Sequence, residues 1–166
     1  MPTTASPGHL PNAGARPATG RRPMIVLDTT VLCYAVGEAH PLREPCRQLL
    51  LAQADGHVEA TTTVEVIQEF VHVRARRRPA ADAAALGRNY ATVFSLLVTQ
   101  PEDLDLGLTL FERHHDTLGA FDSVLAAVAL NRRAAGLFSA DAAFGGIPGL
   151  RWLAPGSPGL ERLLRP

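Results

Sequence analysis

The sequence predicts an α/β fold, a three-layer α/β/α sandwich around a mainly parallel central sheet. Three observations predict it. Short apolar runs, of which Met24-Ile25-Val26-Leu27 is the clearest, alternate with longer helix-like segments. Strands separated by helices pair in parallel, with helices covering both faces of the sheet. Two of the runs lead into an aspartate: Asp28 follows Leu27, and Asp141 follows Leu137-Phe138-Ser139-Ala140. Ligands of open parallel sheets bind beyond the carboxyl ends of the strands, so these two positions face a binding crevice.

The elements follow in order. Residues 24–28 form a buried, β-branched strand, and residues 29–36 a short helix. His40-Pro41 opens a second helix reaching about Ala54, where Asp55-Gly56 ends it. Residues 57–61 form the next strand. Thr62-Thr63-Val64-Glu65 reads as a capping box, which starts a helix running to about Arg76 and gives Glu65 a structural task. Pro79 starts an Ala-rich helix ending near Thr92, and residues 94–99 fit a strand as well as a helix end. Pro101, with Glu102 and Asp103 in the first turn, opens a helix to about His114. Residues 119–135 form a long apolar helix closed by Gly136. Strands at 137–140 and 150–153 complete the sheet, and there is no internal repeat.

Three regions result. Residues 1–23 are rich in Pro, Gly, Ala and Thr and contain no acid. Such a segment buries too little apolar surface to fold, so it is expected to be a disordered extension, or translation starts at Met24. Residues 24–155 are the folded domain, and residues 156–166 a Pro/Gly-rich tail. Three of the 16 arginines lie in the extension; the remaining 13 face 16 acids, a net charge of −3.

Composition closes several functional classes. At 166 residues and 46% apolar content the chain suffices for one domain with its own core. No apolar run approaches the roughly 20 residues that span a bilayer, and no secretory stretch follows Arg21-Arg22, so a cytoplasmic protein is expected. Cys33 and Cys46 have neither zinc-ligand spacing nor the density of a disulfide scaffold, and read as small buried or half-buried side chains. All 16 basic residues are Arg. Without Lys the chain is no phosphate-loop NTPase, Schiff-base enzyme or kinase.

Four acids carry the functional signal: Asp28, Glu69, Asp122 and Asp141. Each has a structural reading of its own. Asp28 and Asp122 are favourable at helix starts, Asp141 suits a turn, and Glu69 lies on a helix one turn beyond Glu65. Together they are four carboxylates, far apart in sequence, that the fold aims at one point. Such groups repel unless cations lie between them, and hard cations such as Mg²⁺ or Mn²⁺ take oxygen ligands. Thr30 and Ser139 are placed to orient them.

The segments Val26-Leu27-Asp28-Thr29-Thr30-Val31-Leu32, Val66-Ile67-Gln68-Glu69-Phe70, Leu118-Gly119-Ala120-Phe121-Asp122-Ser123-Val124-Leu125-Ala126-Ala127 and Phe138-Ser139-Ala140-Asp141-Ala142-Ala143-Phe144 resemble, in order and spacing, the motifs of PIN domains, and especially the VapC toxins of bacterial type II toxin–antitoxin systems. The resemblance covers about residues 24–155. It implies a Mg²⁺- or Mn²⁺-dependent endoribonuclease that cleaves structured RNA such as tRNA or rRNA. It also implies a homodimer inhibited by a VapB-type antitoxin. Asp28, Glu69, Asp122 and Asp141 match the family's acidic quartet, with Thr30 and Ser139 at its supporting hydroxyl positions. The extension lies outside the family pattern, and Asp116 is an additional acid near the third motif.

RNA also demands positive charge beside the acids. Arg74, Arg76, Arg77 and Arg78 at the end of the Glu69 helix are the candidates, as are Arg132-Arg133 after the Asp122 helix; ordinary C-terminal helix charge accounts for them equally well. His114-His115 read as loop residues, since a soft-metal site needs more His or Cys nearby. Phe70, Val93, Phe94, Leu96 and Leu97 are candidates for an apolar groove that takes an antitoxin helix. An aspartyl-phosphate enzyme would need a second Asp where this chain has Thr30, and a Lys. The remaining rival is a degenerate PIN module that binds RNA or a protein without cutting.

Overall fold

The computed structural model describes residues 23–164, so the expected N-terminal extension lies, but for Pro23, outside the described residues. In chain order come β1 (Met24–Leu27), α1 (Thr29–Val36), α2 (Arg43–Ala54), β2 (Glu59–Thr61), α3 (Val64–Ala75), α4 (Ala80–Val93), α5 (Pro101–His114), α6 (Ala120–Asn131), β3 (Gly136–Phe138), β4 (Trp152–Leu153) and α7 (Pro158–Leu164). A 3-10 turn at Ala142–Gly146 sits between β3 and β4.

The sheet order is β2-β1-β3-β4, parallel throughout. β1 is central: Ile25 lies opposite Ala60 on one side and Gly136 on the other. Ile25, Val26 and Leu27 have no solvent exposure. Successive strand side chains point to opposite faces, so both faces of the sheet are covered, as the three-layer prediction requires. From β1 the chain steps to one neighbour, β2, and later returns to the other, β3. Such a reversal opens a crevice at the carboxyl ends of β1 and β3. The Asp28 amide donates to the Phe138 carbonyl at 3.0 Å, which carries the pairing one residue past β1 and pins Asp28 at the crevice floor.

Three details depart from the sequence reading. The cap of α3 is Thr63, whose hydroxyl accepts from the Val66 amide at 3.3 Å. Thr62 is fully buried and donates to the Leu27 carbonyl at 2.7 Å, while its own carbonyl accepts from the Leu97 amide at 2.8 Å. Tertiary partners thus claim Thr62, the expected capping box does not form, and residues 94–99 become a loop with one bridge, Thr63 to Leu97. α6 ends at Asn131 rather than near 135, with Arg133 in the left-handed region at φ 51°. Gly136 opens β3, where a Cβ would lie 2.7 Å from the Leu153 side chain. Close approach of a neighbouring strand, not helix termination, is what glycine serves there. Finally, the segment read as a tail carries α7, which buries Leu160 against the core.

α5 and α6 pack closely because Gly107 has no side chain: a Cβ there would come within 2.7 Å of the Val124 Cα. At the base of this pair Asp103, fully buried, accepts from the Gln100 amide, Asn131 and Arg132 at 2.8–3.1 Å. Burial raises its pKa, but these hydrogen bonds and the Arg132 charge outweigh that and hold it below the ordinary carboxylate value. Cys46 is buried and Cys33 half-buried, as expected. Among the described residues no helix is long and apolar enough to cross a membrane.

Candidate active site

Asp28 is the best-fixed of the four acids. It is the N-cap of α1 and only 4% exposed. One carboxylate oxygen accepts from the Thr29 amide at 2.6 Å. The other accepts from the Thr30 hydroxyl at 2.6 Å and the Ser139 hydroxyl at 2.7 Å. Thr30 in turn accepts from the Ala140 amide at 3.1 Å, and Ser139 from the Asp141 amide at 2.9 Å. The expected supporting hydroxyls therefore hold the ends of β1 and β3 together around one buried carboxylate.

The other acids reach the same crevice from different elements. Glu69, on α3, is exposed rather than enclosed by its apolar neighbours, and accepts from the Thr29 hydroxyl at 2.7 Å. Asp141 is exposed and caps the 3-10 turn, accepting from the Ala143 amide at 2.9 Å. Asp122, half-buried, lies in the first turn of α6. Its carboxyl is pushed up to about 6, first by burial and then by the charges of Asp28, Glu69 and Asp141, with the Gly119 amide pulling the other way. That mutual repulsion is the electrostatic sign that the four carboxylates share one space.

All four border an open cleft of about 590 Å³, which Arg77, Tyr34 and His40 also line. An apolar groove of about 320 Å³ adjoins it, sharing Asp28, Glu69 and Asp122 and extending over Leu104, Leu108 and Phe121. Glu65 lines that groove too, with one buried carboxylate oxygen that has no hydrogen-bond partner. The sequence signal for Glu65 was its position one turn before Glu69, and the presumed capping box hid it.

The expected basic residues separate. Arg77 borders the acidic cleft, whereas Arg74 is tied to Asp82 at 2.6 Å and borders a neighbouring pocket together with Arg77 and Arg78. Arg132 is bound to Asp103 and to the Val98 carbonyl. Asp116 is exposed beside His115 at 3.3 Å and is not among the residues lining the cleft. Of the apolar candidates for an antitoxin groove, Phe70 and Phe94 are core residues; Val93 is 53% exposed.

The crevice, the fold and the ordered acids define a class. The PIN-domain family model matches residues 25–150, and the chain belongs to that family. Within it, the chain is 52% identical over 145 residues to Ribonuclease VapC7 of Mycobacterium tuberculosis, covering 85% of this chain and 98% of that protein, and so stands among the VapC ribonucleases. Ribonuclease VapC13 of the same organism is 30% identical over 133 residues, which cover 79% of this chain and all of that protein. In solved structures the fold recurs in VapBC2 from Rickettsia felis, bound to a promoter DNA fragment (TM-score 0.63, 14% identity, 79% of this chain and 98% of that one). It recurs also in FitAcB from Neisseria gonorrhoeae (TM-score 0.62, 15% identity, 80% and 98%).

The donor set fits a divalent cation of the hard type: it consists of carboxylate oxygens, and their repulsion is relieved by positive charge between them. Among the described residues no three of them close into a compact ligand cluster; they stand around an open cleft.

Proposed function

We propose that this protein is a toxin endoribonuclease that cuts RNA phosphodiester bonds in the Asp28 cleft, with Asp28, Glu69, Asp122 and Asp141 as its metal-holding and catalytic acids. The observation that carries the site assignment is the convergence of these carboxylates on one cleft; burial, and then their charges, push Asp122 up to about 6. Mg²⁺ is the proposed ion, with Mn²⁺ able to replace it. When bound, such an ion supplies Lewis acidity and charge neutralisation at the scissile phosphate.

The chain's own residues do the rest. Asp28, aimed by the Thr30 and Ser139 hydroxyls, is the fixed anchor. Glu69 and Asp122 are the candidates to take the proton of the attacking water. Arg77 holds a backbone phosphate at the cleft rim. Arg76 and Arg78 add long-range attraction, while Arg74 serves the fold through Asp82. Structured RNA such as tRNA or rRNA is the proposed substrate, met in the cytoplasm.

A VapB-type antitoxin is the proposed inhibitor and a homodimer the proposed assembly. Leu104 (49% exposed), Leu108 (48%) and Phe121 (78%) form an apolar surface of the kind a partner helix covers.

The test is cleavage of a tRNA and rRNA pool by purified, antitoxin-free protein with Mg²⁺, with Mn²⁺ and with EDTA, beside Asp28→Asn. Discrete metal-dependent cuts that the variant lacks are expected. Cutting by Asp28→Asn at the wild-type rate overturns the site assignment. A folded wild type that binds RNA but cuts nothing in the pool favours a binding-only PIN module.

A further inference from the structure

Beside the carboxylates, the cleft wall contains a feature the hydrolytic chemistry does not use. Tyr34, in the last turn of α1, and His40, in the loop before α2, stack with ring centroids 4.6 Å apart and planes inclined by 29°. Both line the cleft that holds Asp28, Glu69, Asp122, Asp141 and Arg77. Tyr34 is half-buried with its inner side against the core, and His40 is exposed. The Leu42 amide donates to His40 Nδ1 at 3.2 Å, which holds the imidazole by its edge and leaves the proton of the neutral ring on Nε2.

The stacked pair lines the cleft, and the other groups of that lining indicate what it receives. The cleft presents three kinds of group within one open space of about 590 Å³. The carboxylates suit a cation-bridged phosphate, Arg77 suits a second phosphate, and a backed ring suits a flat apolar surface. A nucleotide in a single strand offers those features together. Aromatic rings that receive bases this way act without sequence readout, because every base has a π-face. A paired base is stacked on its neighbours and offers no free face.

We infer that Tyr34 and His40 form a stacking platform for one unpaired nucleobase flanking the scissile phosphate. The inference rests on the ribonuclease reading and adds to it a base-binding subsite. Tyr34 backs and orients the platform; His40 supplies its outer ring. Arg77 locates the strand through its phosphate.

The test uses the full chain and a fluorescein-labelled ten-nucleotide single-stranded RNA, measured by fluorescence anisotropy in EDTA to prevent cutting. A second probe has the same backbone with every base replaced by an abasic ribose. Wild type is expected to bind the intact strand about tenfold more tightly than the abasic one, the size of one stacked base. His40→Ala and Tyr34→Leu are expected to shrink that ratio to about twofold, and Tyr34→Trp to recover it. Their circular dichroism is compared with that of wild type; should Tyr34→Leu fail to fold, the exposed loop variant His40→Ala carries the comparison. In cleavage of the RNA pool, His40→Ala should raise KM about tenfold with little change in kcat. Equal binding of both probes by wild type, or a folded His40→Ala or Tyr34→Leu that keeps the wild-type ratio, overturns the platform. Absence of metal-dependent cutting in the pool overturns instead the ribonuclease reading beneath it.

Discussion

The Ser139 hydroxyl donates to the Asp28 carboxylate at 2.7 Å, joining residues 111 positions apart. Ser139 is fully buried, and Asp28 is 4% exposed. The bond fixes the direction of the carboxylate from the end of the neighbouring strand, while Thr30 fixes it from within α1. Ser139→Ala leaves one buried carboxylate oxygen short of a donor. The expected cost is about 1–3 kcal/mol of stability, a fall in Tm of several degrees at roughly 2–4 °C per kcal/mol. Calorimetry and single-turnover RNA cleavage check it, and a rate equal to wild type would remove Ser139 from the site.

Asp122 gives the cation-free protein a pH signature. Its carboxyl titrates at about 6, above the ordinary 3.8, so between these values the folded chain holds a proton that the unfolded chain has lost. Stability then falls as pH rises through that window. Asp122→Asn removes the effect: the variant should match wild type near pH 3.5 and be the more stable of the two above pH 6.5 in EDTA. Urea unfolding at the two pH values measures this. A parallel pH dependence in both proteins would place the repulsion elsewhere.

The arginines near the end of α3 are expected to divide by role. Arg77→Ala should weaken RNA binding and lower the salt slope by about one, the loss of one phosphate contact. Arg74→Ala removes the ion pair to Asp82, whose partly exposed setting makes it worth about 1 kcal/mol or less. It should lower Tm slightly and leave the salt slope alone. Binding isotherms at several salt concentrations, with melting curves, distinguish the two; a salt slope changed equally by both variants would refute the division.

Asp103 is the strongest structural carboxylate. It closes the capping box of α5 and binds Asn131 and Arg132 at the end of α6. Asp103→Ala should cost about 1–3 kcal/mol, since it takes the acceptor from the Gln100 amide, from Asn131 and from the partly exposed Arg132. The lowered pKa adds a second expectation: this contribution is present near neutral pH and is lost as pH falls below the ordinary carboxylate range. A variant whose acid denaturation follows that of wild type would contradict it.

Much of the site was legible because its residues stand at ends. Asp28 ends an apolar strand, Asp122 starts an apolar helix, and Asp141 follows another strand, all positions visible in one dimension. Pro101 to His114 was read with the bounds the structure has, because proline, two acids and the apolar period agree there. Thr62 and Gly136 were misjudged because local rules competed with remote partners. A threonine before a helix signals a cap, but the carbonyl of Leu27 claimed Thr62. A glycine after a helix signals its end, but the neighbouring strand at Leu153 needed Gly136. The same cap signal masks Glu65, and only the ion pair to Asp82 distinguishes Arg74 from Arg77.

By itself the sequence determined the class of the fold and the order of its elements and singled out the four candidate acids, since strand and helix periods, caps and chain ends are local properties. Only the tertiary structure decided how those acids meet. The sheet reversal puts β3 beside β1 and so Ser139 against Asp28, and folding raises Asp122 first by burying it and then through the charges of Asp28, Glu69 and Asp141. It also decided which arginine faces the cleft and that Tyr34 and His40 stack at its wall. The reason is physical: hydrogen bonds, charge repulsion and ring stacking act across a few ångströms of space, and residues 111 positions apart acquire that distance only when the chain has folded.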